Sequence, residues 1–427
     1  MSEKMKFEVE IISRETIKPS SPTPNHLRHY QLSFLDQISP PVHMPIILFF
    51  HSNVAAPSLH HSTHLKLSLS HILTRFYPLA GRLSGNASIV CTDEGVSFVE
   101  ATTKSPLSEV AENPVPGEYN KLLPHELDDG GETLMSVQVT YFSCGGMAVA
   151  TCFSHKVADA LSMVLFLTNW AAASRGETDL VQPQFDSAKL FPAKDLSGFL
   201  PNIGMTKEKM VAKRFVFSNS AVAALRDKYT DGSTRPTRVE ALSIFIWNRF
   251  LQSTAPESGH DRRFHVVIHA VNLRTRMDPP LPEHSFGNLY RIAVTIPSKE
   301  AREQGRGLLR EMRESIKSID SDFVSKLQKG NEHLRFIAEQ AQRFMKGKLV
   351  PYNFTSLCRM PLYEADFGWG RPVRVGSTRL PFKNLVTFME TGSGDGIEAW
   401  INMVEKEMAR FEADKEFLAF ILPPRSP

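Results

Sequence analysis

Residues 147–154 (Met-Ala-Val-Ala-Thr-Cys-Phe-Ser) are small, apolar or β-branched without alternation, and His155-Lys-Val-Ala-Asp159 and a largely apolar stretch to Trp170 follow at once. A short unbroken run of this kind predicts a strand buried on both faces. Leu161, Val164, Leu165, Thr168 and Ala172 then recur at the three- and four-residue spacing of a helix face. His155 is therefore predicted at a strand-to-helix junction, where a rigid scaffold can lift a side chain into a cleft. A histidine satisfied by backbone groups at a strand end accounts for the position equally well, because imidazole both donates and accepts.

The remaining pattern is a mixture of both periods. Residues 7–17 alternate as a strand, and Pro19, Pro22 and Pro24 then impose an extended loop. Leu32-Ser-Phe-Leu-Asp36 leads into a strand over 43–51, and a helix over 65–76 stops at Pro78 and Gly81. Strands follow at 88–91, 96–100 and 135–142. In the second half the pattern predicts strands at 210–218, 264–272, 290–296, 385–390 and 397–404, with helices at 219–228 and 238–250 and a turn at 231–234. Residues 300–339 read as strongly helical with one charged, solvated face. Thr391-Gly-Ser-Gly-Asp-Gly396 lacks the Lys-Ser/Thr of a phosphate-cradling loop and precedes a strand pattern, so it predicts a hairpin turn. This alternation of elements is that of an α/β protein. Pro183, Pro192 and Pro201 interrupt an aperiodic stretch, which divides the chain into 1–185, a linker over 186–209, and 210–427.

A length of 427 residues agrees with two domains, and 42% hydrophobic with 22% charged residues is the balance of a soluble globular chain. The net charge of +3 comes without a dense basic cluster, which argues against nucleic acid as a partner. The N-terminus has no uncharged apolar segment, and no run approaches the ~20 residues of a bilayer crossing, so no secretory signal and no membrane partner are expected. The four cysteines (Cys91, Cys144, Cys152 and Cys358) show no CxxC spacing and read as reduced core thiols of a cytoplasmic protein.

Candidate chemistry narrows to His155. His60-His-Ser-Thr-His64 has no intervening Glu and no third ligand in view, so it reads as a solvated loop entering the helix at Leu65, and no metal is expected. No GxSxG elbow occurs. Ser154 and Cys152 are not placed by strand geometry for deprotonation by the adjacent histidine. A histidine without a protein nucleophile suggests a base acting directly on substrate.

His155-Lys-Val-Ala-Asp159 and Asp366-Phe-Gly-Trp-Gly370 together resemble the plant BAHD acyltransferase family, and the second motif is the more specific. Further stretches similar to the family's, in its order, are Tyr77-Pro-Leu-Ala-Gly-Arg82, Pro236-Thr-Arg-Val-Glu-Ala241, Asn272-Leu-Arg-Thr-Arg276, Ser285-Phe-Gly-Asn288 and Gly396-Ile-Glu-Ala-Trp400. They span essentially the whole chain. Ala160 departs from the glycine common after the aspartate. The proline-rich opening, Leu32 to Asp36 and Ala160 look most like the vinorine synthase-like, alkaloid-acetylating branch.

The resemblance implies two similar chloramphenicol-acetyltransferase-like domains, each a mixed sheet flanked by helices, with an active-site channel between them. It implies an acyl-CoA-dependent O-acyltransferase, a monomer, that moves acetyl from acetyl-CoA to a hydroxyl of an alkaloid or related specialised metabolite, with no permanently bound cofactor and no acyl-enzyme. His155 would be the general base and Trp369 an oxyanion donor, with packing in a structural loop as its other reading. Asp159 would pair with Arg274 as a strut, and Asp366 would fix its loop. Thr237, Arg238 and Asn288 would lie near the CoA entrance, Lys213 and Arg214 would offer charge to phosphate, and Ser33, Phe34 and Thr387 would line the acceptor pocket. N-acylation, a longer acyl donor and a non-catalytic ligand-binding member of the fold are the alternatives. Peptide-synthetase condensation would call for tandem histidines, whereas Ser154 precedes His155.

Overall fold

Two strands with no polar face mark the centre of the first half: all eight residues of Met135–Phe142 and all eight of Met147–Ser154 are buried. The computed structural model describes residues 7–51, 59–112, 114–127, 131–196, 208–232, 234–254, 263–304, 307–329, 342 and 349–422. In it these strands lie inside a six-stranded sheet ordered Glu10–Ile17, Val96–Thr103, Met135–Phe142, Met147–Ser154, His43–Phe50, Arg374–Gly376. Only the Val96–Thr103 and Met135–Phe142 pair runs parallel. A second six-stranded mixed sheet is ordered Tyr290–Thr295, Phe264–Asn272, Leu349–Ser356, Leu385–Glu390, Gly396–Val404, Met210–Ser218. The first core gathers apolar side chains mainly from the first sheet and its helices, and the second core from the second sheet and its helices. The chain is thus two similar α/β units, each a mixed sheet flanked by helices.

Helices Leu59–Arg75 and Ala160–Ser174 pack together in the first core, where the buried Trp170 indole N–H donates to Leu65 O (3.3 Å) and Ser68 Oγ (3.1 Å). The buried face of Ala160–Ser174 is not the one its spacing suggested. Of the predicted face Val164 is buried, whereas Leu161, Leu165, Thr168 and Ala172 are half-buried; Met163, Phe166, Leu167, Trp170 and Ala171 make up the rest of the buried side. A helix apolar all round fits several spacings, and tertiary packing decides between them.

Other expectations are corrected. His60 to His64 lie inside helix Leu59–Arg75, not in a loop before it, and the His61 ring packs 4.7 Å from that of Trp369. The expected helix over 300–339 is three shorter ones within the described residues, Lys299–Gln304, Leu308–Lys317 and Ser321–Lys329, with 330–339 outside them. Gly307, with φ 79, breaks the first from the second, and Asp320 Oδ1 caps the third by accepting the Phe323 N–H (2.9 Å). Strand Leu349–Ser356 was not anticipated because Pro351 argues against a central strand. Pro351 stands where one of the two neighbouring strands has not yet begun to pair, so the ladder tolerates it. Of the cysteines, Cys91 and Cys152 are core thiols, whereas Cys358 is half-buried and Cys144 exposed. Nor does the chain divide cleanly at 186–209. Arg374–Gly376 joins the first sheet, and Leu385, Met389 and Trp400 pack into the first core. No helix among the described residues is long and apolar enough to cross a membrane.

Candidate active site

The junction after Met147–Ser154 is built as a tight turn. The His155 N–H donates to Val42 O (2.8 Å) and the Val157 N–H to Ser154 O (3.1 Å). Asp159, extended at φ −86 and ψ 177, is the N-cap of Ala160–Ser174 and accepts the Ser162 N–H (2.9 Å). A carboxylate there satisfies an orphan amide and complements the helix dipole. Its oxygens also receive the Arg274 guanidinium at 2.7 and 3.1 Å and the Leu289 N–H at 3.0 Å. Arg274, 1% exposed, further donates to Ser285 O (3.0 and 2.8 Å) and Ser162 Oγ (3.2 Å). Saturation of this kind is what lets two charges be buried. It ties the junction, in the first half of the chain, to the 274–289 segment of the second.

The His155 ring faces the other way. Nδ1 lies 3.0 Å from Asn288 Oδ1, and the ring stacks on Tyr290 at 5.6 Å and 26°. Burial holds its pKa below the ordinary histidine value, against the opposing pull of the Asp159 charge and the Asn288 hydrogen bond, so the ring is neutral at neutral pH. His155 lines a cavity of about 420 Å³ between the two sheets. Met44 and Ile46 come from the first sheet, and Ile268, Ile292, Phe354 and Leu385 from the second. Asp159 is the one acid lining the cavity among the described residues, and Arg274 neutralises it. The arrangement offers a neutral imidazole base at the wall of a predominantly apolar cleft.

Several expected site residues sit elsewhere. Asn288, expected near a CoA entrance, is fully buried and bonded to His155, so it belongs to the histidine's support. Ser33 and Phe34 are both 0% exposed and do not line the cavity. Ser33 caps helix Phe34–Ile38, and Phe34 packs in a third core cluster; Thr387 does line the cavity. Arg214 is held internally by Glu398 (2.5 Å), which Arg374 shares (3.0 Å), and is not available to a phosphate. Lys213 pairs with Glu412 (2.9 Å) and Arg238 with Glu390 (2.6 Å). The hydroxyl of Thr237 accepts the Glu240 N–H (3.2 Å) at the start of Arg238–Thr254. Trp369 is not among the residues of the cavity wall and packs against Phe367, Phe50 and His61 at 5.7, 6.1 and 4.7 Å, the arrangement of its other reading as a packing residue of the loop. Asp366 Oδ1 accepts the N–H groups of Gly368 (2.8 Å) and Gly370 (2.9 Å). Two residues at the site were not singled out: Tyr290, next to the noted Ser285 to Asn288 stretch, and Asp36, whose Ser-x-x-Asp spacing is a capping signal.

Comparison with known proteins places this geometry. A family model described as the Transferase family matches residues 7–418. Stemmadenine O-acetyltransferase of Catharanthus roseus is 39% identical over 423 residues, covering 95% of this chain and 97% of that protein. A limonoid 21-O-acetyltransferase of Melia azedarach is 39% identical, over 97% of this chain and 98% of its own. The crystal structure of vinorine synthase matches with a TM-score of 0.83 at 35% identity, covering 97% of this chain and 98% of that one.

Proposed function

The chain belongs to the Transferase family, the BAHD acyltransferases, and is an acyltransferase; we propose that it uses CoA thioesters as co-substrates and transfers acetyl from acetyl-CoA to a hydroxyl of an alkaloid or related plant specialised metabolite. The observation that carries the reading is the His155 ring: neutral, held at Nδ1, and lining a cavity bounded by both sheets. Nε2 takes the proton of the acceptor hydroxyl as its oxygen bonds to the thioester carbonyl carbon. The tetrahedral intermediate then collapses, the C–S bond breaks, and the proton passes from the imidazolium to the departing thiolate. The ester and free CoA balance the exchange, and no acyl-enzyme is formed. Burial pushes the Cys152 thiol well above its ordinary pKa, and neither Cys152 nor Ser154 lines the cavity, which supports direct transfer.

A neutral terpenoid alcohol is the second reading. With Asp159 already paired, the described residues of the wall offer no spare carboxylate to a protonated amine, and relatives bearing limonoid acetyltransferase names stand beside the alkaloid ones. Purified protein with acetyl-CoA and a panel of hydroxylated alkaloids and terpenoids should release free CoA and a product 42 Da heavier than its acceptor. Release of no CoA above background across the panel would end the reading.

A further inference from the structure

We propose that Asp36, which does not line the cavity, is a positioning residue for the transfer: through Asn288 it fixes His155 as the Nδ1-protonated tautomer and leaves Nε2 unprotonated. The inference rests on the reading of His155 as the base. Asp36 is 0% exposed on helix Phe34–Ile38. Its Oδ2 accepts the N–H (2.9 Å) and hydroxyl (2.6 Å) of Ser33, and its Oδ1 accepts the backbone N–H (2.9 Å) and the side-chain Nδ2–H (2.9 Å) of Asn288. The other Nδ2 hydrogen of Asn288 goes to the His155 carbonyl (2.8 Å).

These contacts determine which end of the amide is which. A peptide N–H can only donate, so the Asp36 oxygen facing it is an acceptor; the His155 carbonyl can only accept. The amide nitrogen of Asn288 is therefore held between two acceptors, and its oxygen is left facing His155 Nδ1 at 3.0 Å. An acceptor opposite Nδ1 requires a proton on Nδ1. The ring's other titratable neighbours do not change this: Asp159 is engaged by Arg274, and Tyr290 stacks on the ring face. On the far side, Lys156 donates to Gln37 O (2.7 Å) and Asn86 Oδ1 (2.8 Å) and bears on Asp36 through its charge alone.

The test begins with the unaltered enzyme labelled with 15N-histidine, where the ring nitrogens report the tautomer directly. A single Nδ1–H form for His155, identified by its loss in His155→Ala, is expected; an Nε2–H form would overturn the proposal without any variant at Asp36. Asp36→Leu removes the acceptor from Asn288, and a mixture of tautomers is expected with kcat lowered by at least about tenfold, the value of one hydrogen bond. The KM for acetyl-CoA should stay within about threefold. Ser33→Ala removes the hydroxyl donor to the other oxygen of the same carboxylate and the cap on the Asp36 N–H but keeps the backbone donor, and should lower the melting temperature while keeping the Nδ1–H signal and kcat. Loss of turnover in Asp36→Leu with the Nδ1–H signal intact would overturn the proposal, as would an Asp36→Leu enzyme with unchanged kcat. Full activity in His155→Ala would instead remove the general-base reading, which the ring spectra do not depend on.

Discussion

Two aspartates, Asp159 and Asp366, are built on one plan, and only the first lines the cavity. Each collects two backbone N–H groups, from Ser162 and Leu289 in one case and from Gly368 and Gly370 in the other. Each is also met by an arginine distant in sequence: Arg274 bonds the Asp159 carboxylate and Arg175 the Asp366 carbonyl. The Asp159 turn carries His155 into the cavity, whereas the Asp366 loop buries Phe367 and packs Trp369 against Phe50 and His61. The more distinctive of the two sequence motifs is thus the one that does not line the cavity. Its distinctiveness follows from backbone demands: Gly368 and Gly370 hold φ of 108 and 110, which side chains rarely adopt, and aromatic packing fixes the rest. The turn before Ala160–Ser174 has only to present one ring to the cavity, so its motif is short and permissive.

The largest effects should separate ring from strut. His155→Ala should lower kcat by about 10²–10⁴, the usual share of a general base, with cooperative unfolding close to the parent temperature. Asp159→Asn leaves the buried Arg274 guanidinium without its counter-charge, and loss of one partner from a buried pair costs ~3–5 kcal/mol. Thermal unfolding should show that loss together with reduced activity. An unchanged melting temperature with turnover abolished would move Asp159 from the scaffold into the chemistry.

Acid should act on scaffold and ring at different points. Burial lowers the pKa of His43, which pairs opposite Ser154 at the junction, to about 4, and likewise that of His269 to about 4. Because the folded values lie below the ordinary 6.5, the stability from these neutral rings is full above pH 6.5. It is lost as pH falls from 6.5 toward 4, by up to ~3 kcal/mol each. The His155 value is also depressed, so the acid limb of kcat/KM should fall below pH 6.5. An acid limb above 6.5 would mean that the Asp159 charge outweighs burial at the ring. Denaturant titrations and rate profiles at matched pH measure the two separately.

The junction itself was legible, because an unbroken apolar strand running into a helical period leaves little room for another reading, and Met147–Ser154 and Ala160–Ser174 follow it. So were strands whose burial or alternation is continuous, such as Met210–Ser218 and Leu385–Glu390. What escaped was set by partners far away in the chain. Leu349–Ser356 is a strand because two parallel neighbours pair with it, and Arg374–Gly376 belongs to the first sheet because Ile47 to Phe49 receive it. The support of His155 was half visible. Asn288 stood in a recognised stretch, but its role depends on Asp36, 252 residues away, and no local pattern encodes that meeting. Charge positions misled for the same reason: Arg214 looked available until Glu398, 184 residues on, claimed it.

The smallest predicted effect is the sharpest test of the contrast between the two motifs. Trp369→Phe keeps an aromatic ring in the stack with Phe367 and Phe50 and removes the indole N–H. If the Asp366 loop acts only through packing, kcat/KM should stay within about threefold of the parent, with a modest loss of stability for the lost volume. An oxyanion donor would behave differently, since deleting one costs ~10²–10³ in kcat. Steady-state kinetics alone separate these outcomes by more than a factor of ten. The larger one would mean that the loop, which ends four residues before strand Arg374–Gly376 of the first sheet, reaches the cavity in a conformation other than this one.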